Sequence, residues 1–96
     1  MSRNHTSHRM RSTSLEAYLK VALGEGQRRV YDEIWEHTMR GVYPTDREIA
    51  RSMGESDPNR VRPRRHELME GGFIEEAGKR KCMVTGRKAI TWMIKP

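Results

Sequence analysis

Cysteine is nearly absent. Cys82 stands alone in 96 residues, so no intrachain disulfide can form, and with four scattered histidines it matches no zinc-finger spacing. That excludes a disulfide-stapled secreted scaffold and a zinc module. Apolar residues are scarce too, at 34%. No uninterrupted apolar run approaches the roughly 20 residues that a membrane-spanning helix needs. The opening stretch MSRNHTSHRM lacks the apolar core of a secretory signal. A cytoplasmic location without membrane attachment is the expectation. Aromatic residues number six, few to spare for stacking on unpaired bases once a core is filled, which argues against a sequence-specific RNA module. Catalytic hallmarks are thin as well. Gly24-Glu25-Gly26 lacks the lysine and preceding strand of a phosphate loop, and Cys82 has no histidine near it in sequence. We therefore read the chain as non-enzymatic, with no cofactor, metal or small-molecule ligand.

What the sequence does have is positive charge. Nineteen Lys and Arg against thirteen Asp and Glu leave +6, with a pI near 10. The charge is at the two ends: +3 over residues 1–20, −2 over 21–56 and +5 over 57–96. A single basic cluster is often only a solvated face. Two basic segments flanking a near-neutral scaffold tilt the balance towards an anionic partner.

The length suits one small domain. Residues 1–13, rich in Arg and His and almost without apolar side chains, read as a flexible basic tail. Its Arg3, Arg9 and Arg11 suit a minor-groove arm or a plain terminus equally. Thr13 and Glu16 stand in capping-box relation ahead of Leu15, Tyr18, Leu19 and Ala22, which gives a short amphipathic helix over 14–23. That helix either pairs with a second copy of the chain or folds back on its own domain. Residues 24–96 form the main domain. A surface helix runs from Glu25 to about Met39 with Val30, Tyr31, Ile34, Trp35 and Thr38 on its inner stripe. Val42-Tyr43 is at most a token strand. Thr45-Asp46-Arg47-Glu48 is a second capping box and opens a short helix that stops at Gly54. Asp57-Pro58 then reads as an N-cap and first helical residue of a helix reaching Glu70, ended by Gly71-Gly72. Pro63 is expected to kink that helix locally, with a regular helix that starts only near Arg62 as the fallback.

The period then changes. Residues 73–77 and 89–94 are β-favourable runs, joined by residues 78–88, which carry five cations and no acid. Short helix, glycine-containing turn, longer helix and basic hairpin together describe a mainly α chain with a small antiparallel β-hairpin. This is the α+β winged helix-turn-helix class.

The segments TDREIA (45–50), VRPRRHEL (61–68), GFIEEAGKRK (72–81) and TGRKAITW (85–92) resemble the small winged-helix DNA-binding proteins of bacteria and their phages, distantly similar to the antibiotic-resistance-regulator type. The resemblance covers about residues 24–95. It implies a third helix in the major groove, a wing along the backbone or minor groove, and regulation of transcription in association with the nucleoid.

On residue chemistry alone, the outer face of the 58–70 helix presents Asn59, Arg62, Pro63 and His66, which suit base edges: Asn pairs with adenine and Arg with guanine. Arg60 and Arg64 are assigned to phosphates, as is Arg65, whose stem runs inward and whose guanidinium reaches the edge. Arg47 joins them at the start of the preceding helix. Lys79, Arg80, Lys81, Arg87 and Lys88 extend the footprint along the wing. Only Asp57–Arg60 and Arg64–Glu67 have ion-pair spacing on that helix, so four arginines in 60–65 outnumber the acids beside them. Double-stranded DNA is the expected partner. A protein-docking winged helix, or an accessory factor in replication or recombination, is the alternative.

Overall fold

A computed structural model describes residues 12–95. The expected tail, with Arg3, Arg9 and Arg11, lies almost entirely outside the described residues. Four helices and a two-stranded antiparallel hairpin form one α+β unit around a single apolar cluster.

Helix α1 (Thr13–Ala22) is capped one residue earlier than the sequence suggests. Ser12 Oγ accepts from Leu15 N at 3.1 Å, and Glu16 pairs instead with Arg28 on the next helix. Leu15, Leu19 and Leu23 recur every four residues, so they share one face. Leu19 and Leu23 enter the core and Leu15 packs at its edge, so α1 folds back on its own domain. Tyr18, expected on the inner stripe, is exposed, with its ring stacked on Phe73 at 5.9 Å.

Helix α2 (Glu25–Met39) buries Val30, Tyr31 and Ile34, while Trp35 and Thr38 sit half-buried at the margin. Gly41, at φ 78°, supplies the left-handed turn that lets Val42 N donate to His37 O. Residues 42–45 then form no strand. They are tied to the hairpin by Trp92 N, which donates to Pro44 O at 2.9 Å, and by the Arg80 side chain, which donates to Tyr43 O at 2.8 Å.

Helix α3 (Asp46–Ser52) carries the expected capping box: Glu48 N donates to Thr45 Oγ1 and Thr45 N to Glu48 Oε1. Ile49 and Ala50 face inward. Asp57 accepts from Asn59 N at 2.9 Å and opens a single 3₁₀ turn, Pro58–Arg60, before α4 (Arg62–Glu70) begins. The kink expected at Pro63 within one helix is corrected: the regular helix starts only at Arg62, the fallback arrangement. In the first turn of α4 its missing N–H removes no intrahelical bond.

Strands β1 (Ile74–Lys81) and β2 (Lys88–Ile94) are longer than expected, and the connection shrinks to residues 82–87. Glu76 pairs with Trp92 and Gly78 with Thr91, which leaves Ala77 as an extra residue in β1. Such a bulge bends a hairpin and increases its twist. The turn end lies against the start of α3: Met83 N donates to Glu48 Oε2 at 2.7 Å, and Cys82 Sγ lies 3.1 Å from Thr45 Oγ1. Cys82 is buried.

Leu19, Ile34, Ile49, Leu68 and Ile74 are all but fully buried, drawn from α1, α2, α3, α4 and β1 in turn. At about 1.5–3 kcal/mol for each large aliphatic side chain, this cluster is the main force holding five elements together. Among the described residues, no helix is long and apolar enough to cross a membrane.

Candidate nucleic-acid interface

The α3–α4 pair is packed into the core along one side, through Ile49, Ala50, Val61 and Leu68. Val61 and Leu68, seven apart, are buried, which turns the opposite side of the segment to solvent. Asn59, Arg60, Arg62, Pro63, His66 and Glu70 are all exposed there. The face expected from the helical wheel is thus the face observed. His66 Nε2 lies 3.9 Å from Glu70 Oε2.

The arginines of this segment fall into distinct environments. Arg60, with a side chain 73% exposed, lies 3.8 Å from Glu55 rather than pairing with Asp57, whose carboxylate is used in capping. Arg64 donates to Glu67 at 3.0 Å as the spacing suggests, and Gln27 of α2 donates to the same oxygen. Arg62 is half exposed, with Nε 3.6 Å from Asp46. Arg65 differs from the expectation. Its guanidinium donates to both carboxylate oxygens of Asp46, at 2.9 and 3.0 Å, and lies 4.2 Å above the Trp92 ring centroid. Only 15% of the side chain is exposed. A fork-to-fork pair stacked on an aromatic face is a structural link between α3, α4 and β2, not a free cation.

Arg80 is corrected in the same way. Expected in the basic footprint, it turns inward and grips Glu48 with both terminal nitrogens, and its Nη2 also donates to Tyr43 O. Burial pushes the Glu48 carboxyl up, but bonds from Arg80, Met83 N and Thr45 N outweigh that and bring it down to about 2. The Glu48 hydrogen bond holds the Arg80 guanidinium still more firmly protonated. Burial likewise raises the Cys82 thiol, and hydrogen bonds from Thr45 and the Thr85 and Val84 backbone more than offset it, leaving it below its ordinary value.

Lys79, Lys81, Arg87 and Lys88 are exposed and make no ion pair among the described residues. The strand register sets Lys81 directly opposite Lys88, and like charges so placed repel. Arg47, on the first turn of α3, is also exposed and unpaired among the described residues.

Two open clefts flank α4. The first, about 330 Å³, lies between α4 and the hairpin and is lined by Arg47, Arg62, Arg65 and Arg87 with Asp46, Thr45 and Thr85, and an apolar wall of Ala89, Ile90 and Trp92. The second, about 340 Å³, lies towards α2 and gathers Asn59, Arg60, Pro63 and Arg64 with Arg29 and Glu55. Lys79 joins neither. It lines a separate recess with Gly41, Val42 and Tyr43. Arg29 was missed by the sequence reading, because its helix has an acidic excess that marks it as scaffold; only the fold brings it beside Arg60. An exposed ridge of amide, imidazole and guanidinium groups between two arginine-lined grooves can donate hydrogen bonds to base edges and to anionic oxygens. Compared with models of protein families, with curated proteins and with solved structures, the chain matches none.

Proposed function

We propose that the protein is a winged helix-turn-helix that binds duplex DNA sequence-specifically and regulates transcription in a bacterium, phage or mobile element, without catalysing a reaction. The observation that carries this reading is the exposed ridge of α4 between its two arginine-lined clefts. In the major groove, Asn59, Pro63 and His66 meet base edges, with Arg62 at the margin. Arg47, Arg60, Arg64 and Arg29 lie on the phosphates that border the groove. The hairpin is the wing: Lys81, Arg87 and Lys88 track the backbone or minor groove, with Lys79 on its other side. Unpaired cations at the wing, two of them directly opposed, supply charge the fold itself does not neutralise.

Selection from random duplexes, with binding measured at several salt concentrations, tests the reading. With about six phosphates neutralised, log affinity falls with log salt at a slope of about −5. Asn59→Ala or His66→Ala relaxes the selected sequence, at about 1–3 kcal/mol per lost base contact. An unchanged sequence preference in both variants overturns the base-contact assignment. Competition with structured RNA at matched salt separates the two nucleic acids. Most aromatic side chains are committed to packing, and Tyr18 and Tyr43, the exposed ones, line neither cleft.

A protein-docking role, alone or within a replication or recombination complex, is the second reading. It is favoured by the exposed apolar side chains of Val42, Met83 and Val84, which border one recess with His37 and Arg51. Salt-insensitive capture of a protein, with no duplex binding, decides for it. Self-association through the outer face of α1, where Tyr18 and Val21 are exposed, pairs two half-sites on one operator.

A further inference from the structure

Asp46 stands where α3, α4 and the hairpin meet. Both its carboxylate oxygens accept from Arg65, and Oδ2 is also 3.6 Å from Nε of Arg62. The two arginines are not equivalent. Arg65 is fixed by the fork and the Trp92 ring, whereas Arg62 is half exposed and held by one long contact. Asp46 is not needed to cap α3, since Thr45 and Glu48 do so. The first turn of α4 contains no acid of its own, so without Asp46 the Arg62 charge faces the cleft undiminished, beside Arg47 and Arg87.

We propose that Asp46 is a specificity-determining residue: its carboxylate holds Arg62 against the cleft wall and discounts that charge to any passing polyanion. Arg62 is released only when α4 is seated closely enough to offer it a nearer acceptor. The inference rests on the DNA-binding reading above. Binding to arbitrary sequence is driven by counterion release from phosphates, and a carboxylate among the phosphate-facing arginines opposes it. A fully seated complex replaces a 3.6 Å contact with a short, charge-assisted one. Discrimination is a difference of affinities, and a repulsive group that weakens the wrong complex more than the right one enlarges it.

The experiment compares dissociation constants for a selected duplex and a random-sequence duplex across a salt series. The proteins are the unaltered chain, Asp46→Asn, Arg62→Ala and the double variant. Asp46→Asn is expected to tighten random-sequence binding about three- to tenfold and steepen its salt slope by about one unit, with a smaller gain on the selected duplex. Arg62→Ala costs random-sequence affinity little in the unaltered chain and more in the Asp46→Asn background. Equal tightening on both duplexes, no tightening on either, or the same Arg62 cost in both backgrounds overturns the inference while leaving DNA binding intact. A chain that binds neither duplex at any salt fails the DNA-binding reading itself. Should Asp46→Asn not fold, NMR of the unaltered chain decides. The Arg62 Nε–H resonance is expected to shift with the selected duplex alone, and a shift of equal size with both overturns the inference.

Discussion

Glu48 and Arg80, 32 residues apart, form a two-pronged ion pair that fastens the hairpin to the start of α3. The same carboxylate caps its own helix and accepts from Met83 N. One side chain therefore joins three segments, and removing it uncovers two donors and a guanidinium at once.

That pair has a pH signature. The Glu48 carboxyl is lowered to about 2 from an ordinary 4.5. Its contribution is complete above about 4.5 and fades as pH falls towards 2, because protonation then discards the folded-state contacts. Glu48→Gln is expected to lower stability at pH 7 by about 2–3 kcal/mol. Urea midpoints at pH 6 and pH 2.5 check this: the gap between the two proteins should narrow at the lower pH, and an unchanged gap contradicts it.

Arg65→Lys keeps the charge but loses the fork and the ring contact. A cost of about 1–2 kcal/mol is expected, against less than about 0.5 for Arg87→Ala at an exposed site. Thermal melts of the two variants side by side provide the comparison. Equal losses would mean that the Asp46–Arg65 link is dispensable to the fold.

Helix α1 belongs to the core on one side only. Leu19→Ala should cost about 2–5 kcal/mol, as large-to-small changes at buried sites do. Val21→Asp, on a side chain 89% exposed, should leave the melt unmoved and abolish any concentration-dependent dimer seen by sedimentation. A dimer that survives Val21→Asp lies elsewhere on the surface.

Lys81→Ala and Arg87→Ala should weaken binding to every duplex alike and flatten the salt slope by about one unit each. Filter or fluorescence titrations across a salt series read both quantities. If either variant instead changes which sequence is preferred, the hairpin makes base contacts and the division of labour with α4 is reversed.

Local signals were legible in the sequence; distant partnerships were not. The Thr45–Glu48 box, the Asp57 cap, the exposed face of α4 and the existence of the hairpin follow from spacing and turn chemistry within a few residues. Arg65 is expected on phosphates because no acid lies three or four residues from it, and Arg80 because it sits in a run of five cations without an acid. Their partners, Asp46 and Glu48, arrive through the fold. The strands extend past their β-favourable cores into Gly78-Lys79-Arg80-Lys81, whose composition argues against a strand, because pairing with β2 and the docked turn override propensity. The contact of Cys82 with Thr45, 37 residues away, likewise arises only when the bulged hairpin docks against α3. The second cleft was invisible for the same reason, since Arg29 and Arg60 are neighbours only in space.

The opposed lysines at the end of the hairpin leave the free protein with a small internal quarrel that a polyanion would quiet. Heat resistance should therefore climb when oligonucleotide is added, climb most in dilute buffer, and lose part of that gain when Lys81 is replaced by a neutral residue.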